Sequence, residues 1–283
     1  MAEDLRLEER LELVHALCQH VSDERGIDIL PVKGVVASRQ FTARARLGSD
    51  VDLLVRPGQT DALRAALNAC GWRVGSESHE LDLSNHAVVL EHPVWGVTID
   101  LHRHFPGFAA PAEEVFAALW ERRKVETLAG RQCVVPDRVG HGAVLIVNSA
   151  RNPHSAEAQM VKAWWSPEEL EVGVRLVRQL GGSDAAATRL PDLFDPESST
   201  RYWRVVSDNP TGTAMWLARI WDTPGVLPRL RLLGHALLAP SVWGRDNRLT
   251  RRIARTPQHW VKGARQLPGA ATRMVKMLRT PRR

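Results

Sequence analysis

The stretch Ser49-Asp50-Val51-Asp52-Leu53-Leu54-Val55 constrains the fold most, because it reads as a short β-strand that begins with two acids. Alternate residues of a strand point to opposite faces of a sheet. Val51 and Leu53 would therefore face a core, and Asp50 and Asp52 would stand side by side on the other face. The chain must therefore build a sheet that can hold two neighbouring carboxylates.

Two carboxylates this close repel each other, and the repulsion raises the pKa of one of them unless a cation neutralises the pair. A hard divalent ion with oxygen ligands is the natural partner, and magnesium with a triphosphate is its commonest setting. The Asp-x-Asp pattern alone is a weak signal, since such pairs on solvated strands often have no function. The neighbouring motifs decide the interpretation.

A second acid-bearing strand is predicted at Val97-Thr98-Ile99-Asp100-Leu101-His102. Asp100 and His102 share one face, and an acid within an apolar strand is costly to bury unless it is paired or bound to metal. If the two strands are neighbours, three carboxylates converge, as in a two-metal phosphoryl-transfer site. His102 is an accessory candidate that orients Asp100 or contacts a phosphate; the alternative is a strand-end histidine with one backbone hydrogen bond.

Lys33 and Gly34 lie between a predicted strand, 27–32, and a predicted helix, 35–41. A helix N-terminus offers free N–H groups and a positive dipole to phosphate oxygens. Lys33 adds a charge, and glycine lets the backbone approach a ligand closely. Arg46 is a candidate for phosphate binding or for pairing with an acid such as Asp50, and Ser49 is a candidate for nucleotide binding or for a hydrogen bond within the turn.

The rest of the chain predicts an α+β protein whose second half is mostly helical. Helices are predicted at 4–23, 60–70, 111–124, 137–148 and 157–180, the last broken near Pro167, and a further strand at 86–91. We predict a first domain at 1–130, a helical substrate or acceptor region at 131–244 and a basic segment at 245–283.

Charge is distributed unevenly, since residues 245–283 contain twelve lysines and arginines and one acid. This segment could form a basic amphipathic helix at 251–283 that meets an anionic membrane or nucleic acid, or a final helix docked on the fold with a solvated basic face. Three widely spaced cysteines favour free thiols in a reducing compartment. With no apolar leader and no apolar run long enough to span a bilayer, we expect a cytoplasmic protein.

The order of Lys33-Gly34, Arg46, Asp50-x-Asp52-Leu-Leu-Val and Ile99-Asp100-Leu101-His102 resembles the DNA polymerase β-type nucleotidyltransferase superfamily. Within it, the sequence is similar to a little-characterised bacterial nucleotidyltransferase family. The resemblance covers residues 27–105 strongly. It implies a polymerase β-like domain with a mixed sheet and flanking helices.

The resemblance also implies the site and the reaction. Asp50, Asp52 and Asp100 would bind two Mg²⁺ ions, and Lys33 and Gly34 stand where the superfamily usually has a Gly-Ser or Gly-Gly nucleotide loop. The implied reaction moves a nucleoside monophosphate, expected to be AMP, from a nucleoside triphosphate to an acceptor hydroxyl, with release of pyrophosphate.

Two questions stay open at this point. The acceptor could be a small molecule, as in aminoglycoside nucleotidyltransferases, a peptide or protein, or a nucleic acid. The alternative to an enzyme is a catalytically inactive module of the same fold that binds a protein, RNA or membrane partner.

Overall fold

The chain forms two compact units. The computed structural model describes residues 5–41, 48–77, 87–152, 154–195, 197, 200–208 and 212–238. The first unit comprises residues 1–78, 86–150 and 154–198, and the second comprises 79–85, 151–153 and 199–283. The domain boundaries predicted near residues 130 and 244 stay predictions.

The first unit contains a mixed sheet, a hairpin and flanking helices. In chain order its elements are α1 (Leu7–Arg25), β1 (Ile29–Pro31), α2 (Gly34–Phe41), β2 (Asp50–Val55), α3 (Thr60–Ala69), β3 (Arg73–Glu77), β4 (Ala87–Glu91), β5 (Thr98–His102), α4 (Ala112–Glu121), β6 (Arg123–Leu128), β7 (Arg131–Pro136), α5 (Arg138–Ser149), α6 (Glu157–Trp164), α7 (Pro167–Gln179) and α8 (Ser183–Ala186).

Five strands form the mixed sheet in the order β1-β2-β5-β4-β3. β2 and β5 run parallel, and the other neighbouring pairs are antiparallel. The register of β2 and β5 pairs Asp50 with Thr98 and Asp52 with Asp100. The predicted α+β fold with a mixed sheet is confirmed, and the two acid-bearing strands are neighbours.

The core lies between the apolar face of the sheet and α1 and α3. Leu11 and Val14 of α1 and Leu67 of α3 join one buried cluster with Val51 and Leu53 of β2. Helix α1 ends at Gly26, whose φ of 62° is the left-handed conformation that favours glycine. The alternation predicted for β2 therefore sends Val51 and Leu53 into this cluster and leaves its two acids on the opposite face.

Three strands differ from the prediction. The helix expected over 111–124 ends at Glu121 and is followed by the β6–β7 hairpin, and β3 was not predicted. The first three residues of β6 are exposed, so the strand lacks the apolar alternation that would reveal it. Ala129 and Gly130 connect the hairpin with φ values of 45° and 79°, as a tight two-residue turn requires.

The second unit contains three described helices, α9 (Arg201–Ser207), α10 (Gly212–Asp222) and α11 (Val226–Leu238). Val205, Ala214 and Ala218 form a small core between α9 and α10. None of the described helices is long and apolar enough to cross a membrane. The helix expected within 251–283 lies outside the described residues.

Candidate active site

The parallel pair β2–β5 builds the site by bringing acids from distant parts of the sequence to one face of the sheet. Asp52 lies opposite Asp100 in the register, and Asp50 precedes Asp52 by two residues on the same strand. Oxygen or nitrogen atoms of Asp52, Asp100 and His102 all lie within 4.8 Å of one another. These three side chains therefore have the spacing and chemistry to share a metal ion.

Asp52 is the centre of the cluster and is only 4% exposed. Its Oδ1 accepts from Lys33 Nζ at 2.7 Å and from His102 Nε2 at 2.7 Å. Burial alone would raise the pKa of Asp52, but the His102 hydrogen bond and the positive charge of Lys33 outweigh burial and hold this pKa well below its usual range. Asp52 therefore stays ionised and accepts hydrogen bonds from both Lys33 and His102.

In the two neighbouring acids, Asp50 and Asp100, hydrogen bonds and positive charges do not outweigh burial. Burial, and then the charge of Asp52, raise the pKa of Asp100 to about 6, and the same two causes raise the pKa of Asp50. Oδ1 of Asp100 is buried, and no described residue gives it a hydrogen bond. Because one lysine faces three carboxylates, the donor set fits a hard divalent cation.

Phe105 supports both donors to Asp52. Lys33 Nζ lies 5.9 Å from the centre of its ring, and the His102 ring lies 5.5 Å from it at a tilt of 50°. Phe105 is itself fully buried. It therefore restricts where the ammonium and the imidazole can lie, although the sequence offered no signal for it beyond its position three residues after His102.

Two glycines allow the backbone to approach the acids. Gly34 begins α2 with a φ of 62°, and a Cβ there would lie 3.6 Å from the carbonyl oxygen of Asp50. A Cβ on Gly48 would lie 2.7 Å from Oδ1 of Asp50. Any larger residue at position 48 would therefore displace the Asp50 carboxylate.

A cleft of about 240 Å³ opens beside the acids. One wall comes from Lys33 and α2 together with β2, and the opposite wall comes from α5 and α6. The lining residues are Lys33, Gly34, Ala37, Ser38, Gly48, Asp50, Asp52, Leu145, Asn148, Ala156, Glu157 and Met160. Charged groups thus occupy one side, and mainly apolar groups with one amide and one carboxylate occupy the other.

Helix α5 is fixed firmly in the unit. Asp137 caps its N-terminus by accepting from Gly140 N at 2.7 Å. The buried His141 donates from Nε2 to the carbonyl of Pro31 in β1 at 3.0 Å. At the other end of α5, Asn148 Nδ2 donates to Glu157 Oε2 at 3.0 Å, which fixes the orientation of the amide that lines the cleft.

The predicted site residues fall into three groups. Lys33, Gly34, Asp50 and Asp52 line the cleft, and Asp100 and His102 lie within the same acidic cluster. Ser49 is exposed and does not line the cleft, while its carbonyl accepts from Thr98 N in the sheet. Arg46 lies outside the described residues.

Sequence reasoning assigned residues 131–244 to a substrate or acceptor region but named no residue of the wall formed by α5 and α6. A signal was present at Asn148, a polar residue that directly follows the buried apolar run 143–147. Glu157 gave no signal, because its role depends on a contact between two helices.

Comparisons with known proteins agree with the motifs. A family described as uncharacterised nucleotidyltransferase matches residues 4–151, just over half of the chain. No curated protein matches the sequence.

Three similar solved structures are all of low identity. The antibiotic-resistance factor ANT(2'')-Ia in solution has 15% identity, covering 60% of this chain and 91% of that chain at a TM-score of 0.41. An antigenic nucleotidyltransferase-like protein from Paracoccidioides brasiliensis has 13% identity, with 65% and 91% covered and a TM-score of 0.40. ANT(2'')-Ia in complex with adenylyl-2''-tobramycin has 17% identity, with 64% and 95% covered and a TM-score of 0.34. On the strength of the family match, which contains all three acids, the chain belongs to the nucleotidyltransferase family described as uncharacterised.

Proposed function

We propose that the chain is a metal-dependent nucleotidyltransferase that moves a nucleoside monophosphate from a nucleoside triphosphate to an acceptor hydroxyl and releases pyrophosphate. The observation that carries the proposal is the register of β2 and β5, which pairs Asp52 with Asp100. The buried Oδ1 of Asp100, without a hydrogen-bond partner among the described residues, supports it further.

Asp50, Asp52 and Asp100 would hold Mg²⁺, expected as two ions, because three carboxylates outnumber the single lysine beside them. When bound, the metal would neutralise phosphate charge and polarise the acceptor oxygen. His102 acts through Asp52, since its Nε2 donates to the carboxylate oxygen and fixes the orientation of that group.

Lys33 and the start of α2 form the phosphate side of the proposed site. The ammonium group and the N-terminal N–H groups of α2 both favour negative charge, and Lys33 lines the cleft. In the proposed reaction the Lys33 ammonium stabilises the pyrophosphate as it leaves. Gly34 lets the phosphates come close to the backbone.

The acceptor hydroxyl attacks the α-phosphorus, so that an oxygen–phosphorus bond forms and the bond to pyrophosphate breaks. The hydroxyl proton passes to the Asp100 carboxylate.

Asn148 supports the choice of AMP. Glu157 accepts from its Nδ2, so the Asn148 carbonyl oxygen keeps one orientation in the cleft. This carbonyl oxygen can accept a hydrogen bond from the amino group of adenine, whereas uracil offers no amino donor. The apolar side chains of Leu145 and Met160 on the same wall suit the faces of a base.

The proposal is tested with nucleoside triphosphates that carry a label on the α-phosphate, incubated with the protein, Mg²⁺ and a cell extract. We expect label from ATP to appear in an acceptor, and Asp50→Asn and Asp100→Asn to abolish the transfer. Asp61→Asn is the matched control, because the Asp61 side chain lies on α3 and is 75% exposed.

Failure of the folded wild type to label any product, together with no calorimetric binding of ATP at millimolar Mg²⁺, would instead favour the inactive module. Wild-type transfer by either site variant would refute the site.

A further inference from the structure

Helix α11 carries an unusual concentration of exposed apolar side chains. Of the ten large apolar residues that are exposed in the described part of the chain, half lie within residues 221–233. They are Val226, Leu227, Leu230 and Leu233 of α11 and Trp221 at the end of α10, with exposed fractions between 43% and 73%. We call these five residues the α11 patch.

Helical geometry gathers the patch into one stripe. Val226, Leu230 and Leu233 follow the spacing i, i+4 and i+7, which places them on one face, and Leu227 borders them. At 100° per residue, Arg229 falls on one side of this stripe and Arg231 on the other. Both arginines are exposed.

Arg229 also fixes Trp221 beside the helix. Its guanidinium donates to the carbonyl of Thr223 at 2.8 Å and to the carbonyl of Trp221 at 3.3 Å. These bonds brace the connection between α10 and α11. The backbone of Trp221 is therefore held next to the start of α11.

Along the sequence, the segment from α11 onward is strongly basic, and Asp222, the acid just before it, lies 4.0 Å from Arg201. Helix α11 contains no acid, and residues 223–283 contain fourteen lysines and arginines and one acid, Asp246. A second copy of the chain would bring like charges face to face, which opposes self-association through this surface. An anionic partner is favoured, and the apolar stripe requires that the partner also accept aliphatic side chains.

We propose that the α11 patch binds the surface of an anionic phospholipid bilayer, with α11 lying in the plane of the interface. The leucines and valine would enter the boundary between headgroups and acyl chains, and the flanking arginines would contact lipid phosphates. Tryptophan is favoured at this depth because its ring is apolar and its N–H can meet water. The phosphates of a nucleic acid would pair with the two arginines, but a nucleic acid would leave the aliphatic side chains of the stripe exposed to water.

The test is flotation of the full chain with vesicles of phosphatidylcholine alone or with phosphatidylglycerol. We expect binding to the anionic vesicles, weaker binding to the neutral ones, and a decrease with added salt. The double substitution Leu227→Ser and Leu230→Ser should weaken binding by about tenfold for each leucine.

Val94→Ser with Val125→Ser is the matched control, because these valines are 54% and 59% exposed in the first unit. The control should bind as the wild type does. Since all four positions are exposed, both variants should keep the wild-type circular dichroism spectrum.

Equal vesicle binding by the wild type and the leucine variant would overturn the proposal. Binding to RNA without binding to anionic vesicles would overturn it too, as would a dimer that the leucine variant abolishes. The flotation assay is independent of nucleotidyl transfer, so either proposal can fail alone.

Discussion

Replacing Lys33 by methionine removes the cation that faces the buried Asp52 while keeping a long side chain next to Phe105. The Nζ–Oδ1 distance is 2.7 Å, and the two side chains are 18% and 3% exposed. Breaking a buried pair by removing one partner costs about 3–5 kcal/mol. Because His102 still donates to the same oxygen, we expect a loss of unfolding free energy near the lower limit, about 3 kcal/mol.

The assay is equilibrium unfolding in urea with Lys124→Met as the matched control. Lys124 Nζ also lies 2.7 Å from its partner Glu126, but these side chains are 41% and 18% exposed. A pair of this kind contributes about 0–1 kcal/mol, so the control should unfold almost as the wild type does.

Mg²⁺ should recover part of the stability lost in Lys33→Met, because a ligand that binds only the folded state stabilises it. Equal unfolding free energies for the two lysine variants would refute the account of Asp52 as a buried charge that depends on Lys33.

Three further predictions concern histidine protonation, base preference and the backbone near Asp50. Burial lowers the pKa of His141 to about 4, so the unfolded state gains this proton first as pH falls from about 6.5. The contribution of His141 to the unfolding free energy should therefore fall by about 1.6 kcal/mol between pH 6.5 and 5, and the buried His15, whose pKa is also lowered to about 4, should add a similar fall. A slope in urea unfolding that His141→Gln does not reduce would contradict this. Asn148→Leu should lessen the preference for ATP over UTP in the transfer assay, and an unchanged preference would exclude Asn148 as the base-reading residue. Gly48→Ala should lower activity with little change in melting temperature, because the added Cβ meets only the movable Asp50 carboxylate; full activity would argue against the position assigned to that carboxylate.

The acidic half of the site was predictable because its signals are local. The alternation of Val51 and Leu53 with Asp50 and Asp52 predicts a strand with a polar face, and one apolar strand with an internal acid predicts Asp100. Their pairing across the sheet followed from the family resemblance, and the register confirms it. Gly26 predicted the end of α1 because the left-handed conformation is a property of the residue itself.

The wall of the cleft formed by α5 and α6 depends on tertiary contacts, which the sequence pattern does not reveal. Asn148 and Glu157 belong to different helices, and only the packing of α5 against α6 brings them together. Phe105 gains its role by lying under both Lys33 and His102. The β6 strand escaped prediction because its first half is exposed and charged, so its pattern resembles the end of a solvated helix.

Binding of Mn²⁺, followed by the loss of its free electron paramagnetic resonance signal, tests most directly whether the three carboxylates form a metal site. The wild type should bind Mn²⁺ together with ATP, Asp100→Asn should weaken the affinity by roughly tenfold or more, and Asp61→Asn should leave it unchanged. Equal Mn²⁺ affinity in the wild type and in Asp100→Asn would contradict the central claim.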